Sequence, residues 1–356
     1  SVCRHLQVHT ISYSQKTVTR YIQRFFLTAV EGTETKAQEA AAALLAHLRK
    51  HPNVHEMAQV PIILPLLCQL WQQYSVSVVQ AGHSLIQLYD LLVQKVWNDR
   101  IDSCHHGQVT KLLGDIALTG QKIGAEQHLL QQSGFLWSTD DERVAFIHTL
   151  FRDYFAGKAL TDQFFSEDEC KSAYTWLAQH QYKAESEKTL SFMAGAVYQK
   201  KGLEGLQQLL KALAVTPREA LGLQYLLLQL RCAEQCRAAG VPDAQLEQIE
   251  KEYGLRQALQ AWVQKSLKDK TLRNQLTTVL SRLPHWARDV VAIYGRALKD
   301  KSKDVRIAAA AALGKLGCQE AVDPLIGALK ARCEHVRRSA AAALGKLGNK
   351  KAVDPL

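Results

Sequence analysis

The sequence predicts a mostly α-helical chain that closes in an α-solenoid, and three observations carry that prediction. First, Val305-Arg306-Ile307, Leu313-Gly314-Lys315-Leu316-Gly317 and Ala321-Val322-Asp323-Pro324-Leu325 return as Val336-Arg337-Arg338, Leu344-Gly345-Lys346-Leu347-Gly348 and Ala352-Val353-Asp354-Pro355-Leu356, every matched position 31 residues on. A fixed period in this range marks stacked helix pairs, none of which can bury its apolar face without a neighbour. Second, apolar residues recur at helical spacing through almost all of the preceding chain. Third, a single segment reads as β. The second copy of the repeat stops at Leu356, where the first runs on through Ile326 to Lys330, so the chain is expected to be a fragment.

Taken in order, residues 36–50 are rich in Ala and Leu and form a helix that must end before Pro52, because proline disfavours the helical region for the residue ahead of it. Residues 61–74 form an apolar helix, with Pro61 suited to its first turn. Residues 84–100 carry Leu85, Leu88, Tyr89, Leu92 and Val96 on one helical face, with Ser84 as N-cap. Phe135-Leu136-Trp137 and Val144-Ala145-Phe146-Ile147 flank the polar run 138–143, which predicts a hairpin. Three helical patterns followed by a hairpin make a winged-helix arrangement, with residues 125–132 in the place of the recognition helix. Helix resumes over 149–165 and continues to about 264, with breaks at Gly202, Pro217 and Gly240-Val241-Pro242. The solenoid begins near Leu272; residues 286–299 align loosely with the second helix of the repeat. Within a repeat, Ala308 to Ala312 let backbones approach closely, Gly317 can end the first helix in the left-handed conformation, and Asp323-Pro324 reads as N-cap and first residue of the second helix.

Composition narrows the function classes. The chain is 47% apolar and 22% charged, ordinary for a globular protein, and its 356 residues allow several domains. The longest apolar run, near residues 60–70, is short and broken by Pro61 and Pro65, so no membrane span is expected. Eight scattered cysteines form no CxxC pair, which speaks against a zinc ribbon or a disulfide framework and for reduced thiols in a cytoplasmic setting. The net charge of +10 has a late cluster of lysines, including Lys299, Lys301, Lys303, Lys315 and Lys330. Such a cluster reads as a solvated rim, or as a surface for an acidic partner. His51 with His55, and Cys104-His105-His106, lack partners at a recurring ligand spacing and read as surface residues. Cys232 and Cys236 share a helical face and read as core. The acidic run 140–142 reads as a solvated hairpin tip. Residues 125–132 hold no Arg or Lys to neutralise phosphates, so the winged helix is not expected to bind DNA.

Two stretches resemble the part of NACHT-type STAND ATPases that follows their nucleotide domain. The run 51–68, His-Pro-Asn-Val-His-Glu-Met-Ala-Gln-Val-Pro-Ile-Ile-Leu-Pro-Leu-Leu-Cys, is similar to that family's first helical domain. The run 146–160, Phe-Ile-His-Thr-Leu-Phe-Arg-Asp-Tyr-Phe-Ala-Gly-Lys-Ala-Leu, is similar to the motif that closes its winged-helix domain. Ser1-Val2-Cys3-Arg4 resembles the end of the family's sensor strand. The resemblance covers roughly residues 1–235; beyond it, the repeats are HEAT-like, of the short Ala-rich type also met in phycobilisome bilin lyases.

The resemblance implies an organisation: residues 1–84 as the end of a NACHT domain and a first helical domain, 85–165 as a winged helix, 166–268 as a second helical domain, 269–356 as HEAT-like repeats. It also implies three residues facing nucleotide: Arg4 as sensor of a γ-phosphate, Pro61 packed on adenine, and His148 donating to the β-phosphate of ADP. The sequence departs from the family at the decisive place. It has no G-x-x-x-x-G-K-[ST], so the phosphate cradle is absent and this chain is not expected to be an enzyme. ATP or ADP with Mg would belong to a full-length protein; no cofactor is expected here. The leading expectation is a regulatory, sensing part of a STAND signalling ATPase, with a protein ligand on the second helices of the repeats around residues 322–330 and self-association when activated. Two alternatives stay open: a freestanding HEAT-repeat scaffold, and a basic solenoid that binds nucleic acid.

Overall fold

The computed structural model of the chain describes residues 12–348, apart from 30–33, 81–84, 99, 121–126, 139–143, 214–217 and 239–240. Two compact units divide the chain: Ser1–Thr216 with Gln235–Val241, and Pro217–Glu234 with Pro242–Leu356. The first boundary passes through the segment 166–268 expected as one helical domain. Among the described residues both units are helical but for one hairpin, as expected of a mostly α chain.

The first unit opens with α1 (Gln15–Ala29), α2 (Glu34–Lys50), α3 (Pro52–Ala58) and α4 (Ile63–Gln80). Pro52 stops α2 and starts α3 as its first residue, with His51 held outside the helical region at φ −123° and ψ 86°. Regular α4 starts two residues after Pro61, yet the Leu64 N–H already donates to the Val60 carbonyl at 3.1 Å. Pro61 therefore does occupy the entry turn, where a missing N–H costs nothing. Val18, Ile22 and Phe26 of α1 pack with Leu44, Leu64 and Leu67 in the core of this unit.

Next come α5 (Leu85–Trp97), α6 (His106–Thr119), α7 (Gln127–Gln132), β1 (Leu136–Ser138), β2 (Val144–Phe146) and α8 (Thr149–Phe164). The strands pair antiparallel, Leu136 opposite Phe146 and Ser138 opposite Val144. The Ile147 N–H extends the ladder by donating to Phe135 O at 2.9 Å. Phe135, Phe151 and Phe155 stack together beneath the hairpin at centroid distances of 4.6 and 5.5 Å from Phe135, which fixes it on α8. Helix α8 packs on α6 and on α10 (Glu187–Leu213), after α9 (Cys170–His180). The approach to α10 is close: a methyl group at Gly157 would meet Met193 N at 2.9 Å. Gly202 kinks α10 with φ 58°. The Ser84 cap and the acidic tip 140–142 lie outside the described residues.

The second unit takes in most of α11 (Arg218–Ala238), then α12 (Asp243–Glu252), α13 (Leu255–Ser266), α14 (Lys270–Leu280), α15 (Pro284–Ala297), α16 (Lys303–Leu316), α17 (Val322–Ala328) and α18 (Glu334–Leu347). The 31-residue period has a physical counterpart at several of its described residues. Gly317 and Gly348 end α16 and α18 in the left-handed region, at φ 75° and 60°. Arg306 Nη1 donates to the carbonyls of Asp300 and Lys301 at 2.7 and 2.9 Å. One period on, Arg337 Nη1 donates to those of Ala331 and Arg332 at 2.9 and 3.0 Å. Each arginine thus closes the turn ahead of its own helix. Ala309 with Leu313, and Ala340 with Leu344, fill the core between helices. One expectation fails. Asp323 is not the cap of α17, because a 3-10 turn over Gln319–Ala321 enters the helix first and places Ala321 at the cap position, with no side-chain cap bond.

Candidate functional site

Helices α15 and α17 are consecutive second helices of the array, and the surface between them is a groove with a cavity volume of about 810 Å³. On the α15 side it is lined by Arg288, Ala292, Gly295 and Arg296, spaced as one helical face (i, i+4, i+7, i+8), by Val291 and Leu298, and by Lys299 just past the helix end. The opposite face of the same helix, with Trp286, Val290, Ile293 and Tyr294, is buried in the core. On α17, Val322, Leu325 and Ala328 point inward, which leaves Asp323, Pro324 and Gly327 facing the groove.

The two helices run the same way along it. At their N-terminal ends Arg288 Nε pairs with Glu320 Oε1 at 3.1 Å. Further along, the space above Gly295 is closed by Pro324, 3.7 Å from where a methyl group would stand. The other end is therefore shared by Arg296, Lys299 and Lys330. The floor is small and apolar, and the lining holds no aromatic side chain. The charges are unevenly met. Arg288 has Glu320, but no described carboxylate pairs with Arg296, Lys299 or Lys330. The Arg296 Nε–H turns back to the Ala292 carbonyl at 3.4 Å.

Of the residues singled out from the sequence, Arg4 lies outside the described residues. Pro61 sits in the α3–α4 turn, beside the Tyr13 N–H that donates to Gln59 O at 2.7 Å. His148 is the N-cap of α8: its backbone is extended (φ −155°, ψ 143°) and its Nδ1 accepts from the Leu150 N–H at 3.1 Å. That bond assigns the neutral ring's proton to Nε2, and burial lowers the His148 pKa below the usual histidine value. The first turn of α10 ties the neighbourhoods of Pro61 and His148 together. Lys188 Nζ pairs with Glu56 of α3 at 3.1 Å, and the Thr189 hydroxyl donates to Asp153 of α8 at 3.3 Å. Asp153, also paired with Arg152 at 2.9 Å, is nonetheless raised above the usual carboxylate range by burial.

His51 stacks on His47 at 4.2 Å, and His106 faces the Ile101 carbonyl at 3.1 Å. Among the described residues no group of three or more His, Cys, Asp or Glu side chains could hold a metal ion. Among the described residues no helix is long and apolar enough to cross a membrane.

Residues 292–356, which carry the groove's second wall and the 31-residue period, match the family model of HEAT repeats. No curated protein is significantly similar to the chain. A crystal structure of an engineered protein is 17% identical, with 95% of this chain and 90% of that one covered at a TM-score of 0.24. The helical array at the C-terminal end is thus similar to HEAT repeats over residues 292–356.

Proposed function

We propose that the chain is a helical-repeat scaffold whose array holds a partner protein in the groove between α15 and α17. The observation that carries this reading is the groove itself: a small apolar floor with charged ends, lying where the HEAT repeats stack. An apolar centre with a polar rim is the composition of protein interfaces. A photo-crosslinking residue at Ala292, in the groove, and at Ala311, on the exposed side of α16, tests it. Crosslinking from Ala292 alone is expected. Equal yields from both positions would remove the groove from consideration.

A second reading concerns the first unit. The hairpin lies where the resemblance to NACHT-type STAND ATPases asks for it, and His148 stands at the start of α8 with Nε2–H as its only remaining donor. This favours a regulatory part in such an ATPase, with the four-part organisation that the resemblance implies. The residues present do not form a nucleotide site by themselves, since the chain has no Gly-rich phosphate cradle. Calorimetry of this chain with ADP is expected to show no binding at micromolar concentration. In a chain that carries a P-loop domain, His148→Ala should speed ADP loss; an unchanged off-rate would remove the nucleotide role of His148.

A further inference from the structure

The repeat period and the charge of the groove together say more about its occupant. Lys299 and Lys330 are equivalent residues one period apart, each just beyond the end of its helix. Stacked helices lie roughly 8–10 Å apart, so the two lysines start from neighbouring helix ends, as two rungs of a short ladder at one end of the groove. Arg296 stands one turn back on α15. The macrodipole favours cations at helix C-termini, which accounts for some of this placement. It does not account for three cations that line one pocket beside the carboxylate of Asp323, with no ion pair to any of them among the described residues, over a floor made of Ala292, Gly295, Pro324 and Gly327.

We propose that this end of the groove takes an acidic segment of the partner protein, with small apolar side chains on the floor and carboxylates between Arg296, Lys299 and Lys330. The proposal rests on the docking role given above and adds the chemistry of the partner. Two carboxylates two residues apart in an extended segment share a face about 7 Å apart, within reach of the long lysine side chains on the two helices. Nucleic acid fits less well: the lining has no aromatic side chain on which a base could stack, and the floor is apolar.

The test is selection of displayed random dodecapeptides on the intact chain at low salt, beside two variants. Gly327→Leu fills the groove. A Cβ there meets nothing within 4 Å and needs no unusual backbone, so the helix content should stay as it is, which circular dichroism checks. Lys299→Glu with Lys330→Glu reverses the ladder. The expected result is severalfold enrichment of Asp and Glu on the native chain, loss of that enrichment with Gly327→Leu, and a turn to Lys- and Arg-bearing peptides with the double reversal. Neutral apolar peptides lost only with Gly327→Leu would overturn the acidic chemistry and leave groove docking in place. Acidic peptides retained by Gly327→Leu would mean binding to general surface charge, and would overturn the proposal. Generic duplex DNA that competes for the groove with a steep log-linear salt dependence would overturn it in favour of nucleic acid. No enrichment on any chain would overturn both the chemistry and the docking.

Discussion

Two glycines one period apart allow a stability measurement in which most confounding terms cancel. Gly314 on α16 and Gly345 on α18 are equivalent in sequence and both lie inside a helix. A methyl group at Gly314 would stand 2.6 Å from Ala343 Cβ and 2.7 Å from Ala343 Cα, whereas one at Gly345 would meet nothing within 4 Å. Carbon atoms rest at about 3.5–4.0 Å, so alanine at 314 must push α16 and α18 apart by about 1 Å. Ala343 offers backbone and a methyl group there, with no flexible side chain to swing aside.

Alanine in place of glycine gains about 0.5–1 kcal/mol of helix propensity at either position. Overpacking costs about 1–3 kcal/mol and acts at 314 alone. The difference between Gly314→Ala and Gly345→Ala therefore isolates the packing term. Hydrogen exchange of the amides of α16 and α18 reads it locally. Exchange should slow with Gly345→Ala, and should be faster with Gly314→Ala than with Gly345→Ala by roughly 5- to 150-fold, the equivalent of 1–3 kcal/mol. If both substitutions slowed exchange equally, α16 and α18 would not be in the contact described, and the close packing of the array would be wrong.

Three further outcomes follow from the side-chain environments. His148→Ala should lower the stability of the first unit by about 0.5–2 kcal/mol through loss of the α8 cap, while His148→Asn should keep most of it, as urea titrations can show. The folded pKa of His148 is depressed, so its contribution is complete above the usual histidine value and is lost as pH falls through the folded value. Accordingly, the stability difference between the native chain and His148→Asn should shift against the native chain as pH drops below about 6.5, the ordinary histidine pKa; a difference independent of pH would refute the buried neutral ring. Burial pushes the thiols of Cys68 and Cys232 up to about 12, and Cys104 is exposed. A disulfide reagent at mildly alkaline pH should modify Cys104 promptly and reach Cys68 and Cys232 only on unfolding; equal rates for all three would contradict the core as described. Arg306→Lys should destabilise the turn at residues 300–301 by about 1 kcal/mol, because the lysine ammonium sits one bond nearer its Cα and falls short of the two carbonyls that Nη1 reaches; unchanged exchange at those amides would show the clamp to be incidental.

What could be read from the sequence was whatever repeats or alternates with a local cause. Gly317 foretells a left-handed helix end because few other residues adopt that backbone, and both copies do so. The hairpin follows from two short apolar runs around a polar turn, with register fixed by which side chains face α8. The Asp323-Pro324 pair misled because two entries to a helix compete there. A proline fits any position of the first turn, and the 3-10 turn over Gln319–Ala321 starts the helix earlier than a capping Asp would. The capping role of His148 was not legible, since imidazole is not among the usual cap side chains and only the bond to Leu150 discloses it. The groove was legible only in outline: residues 322–330 give one wall, and the other comes from α15, whose sequence aligns loosely with the repeat.

That loose alignment is itself informative once the faces of α15 and α17 are known. Three positions keep their residue over one period, Val291 with Val322, Ala297 with Ala328 and Leu298 with Leu329, whereas the core residues Trp286, Val290, Ile293 and Tyr294 stand against Gly317, Ala321, Pro324 and Leu325. Positions that face the groove change: Arg288 with Gln319, Ala292 with Asp323, Gly295 with Ile326, Arg296 with Gly327. Among exposed groove positions, Lys299 with Lys330 is the pair that repeats although no stacking contact requires it. On the proposal made above, this pair belongs to a recognition face rather than to a solvated rim. A rim would tolerate charge reversal at these lysines with no effect on what binds, which is the outcome the double reversal Lys299→Glu with Lys330→Glu is designed to detect.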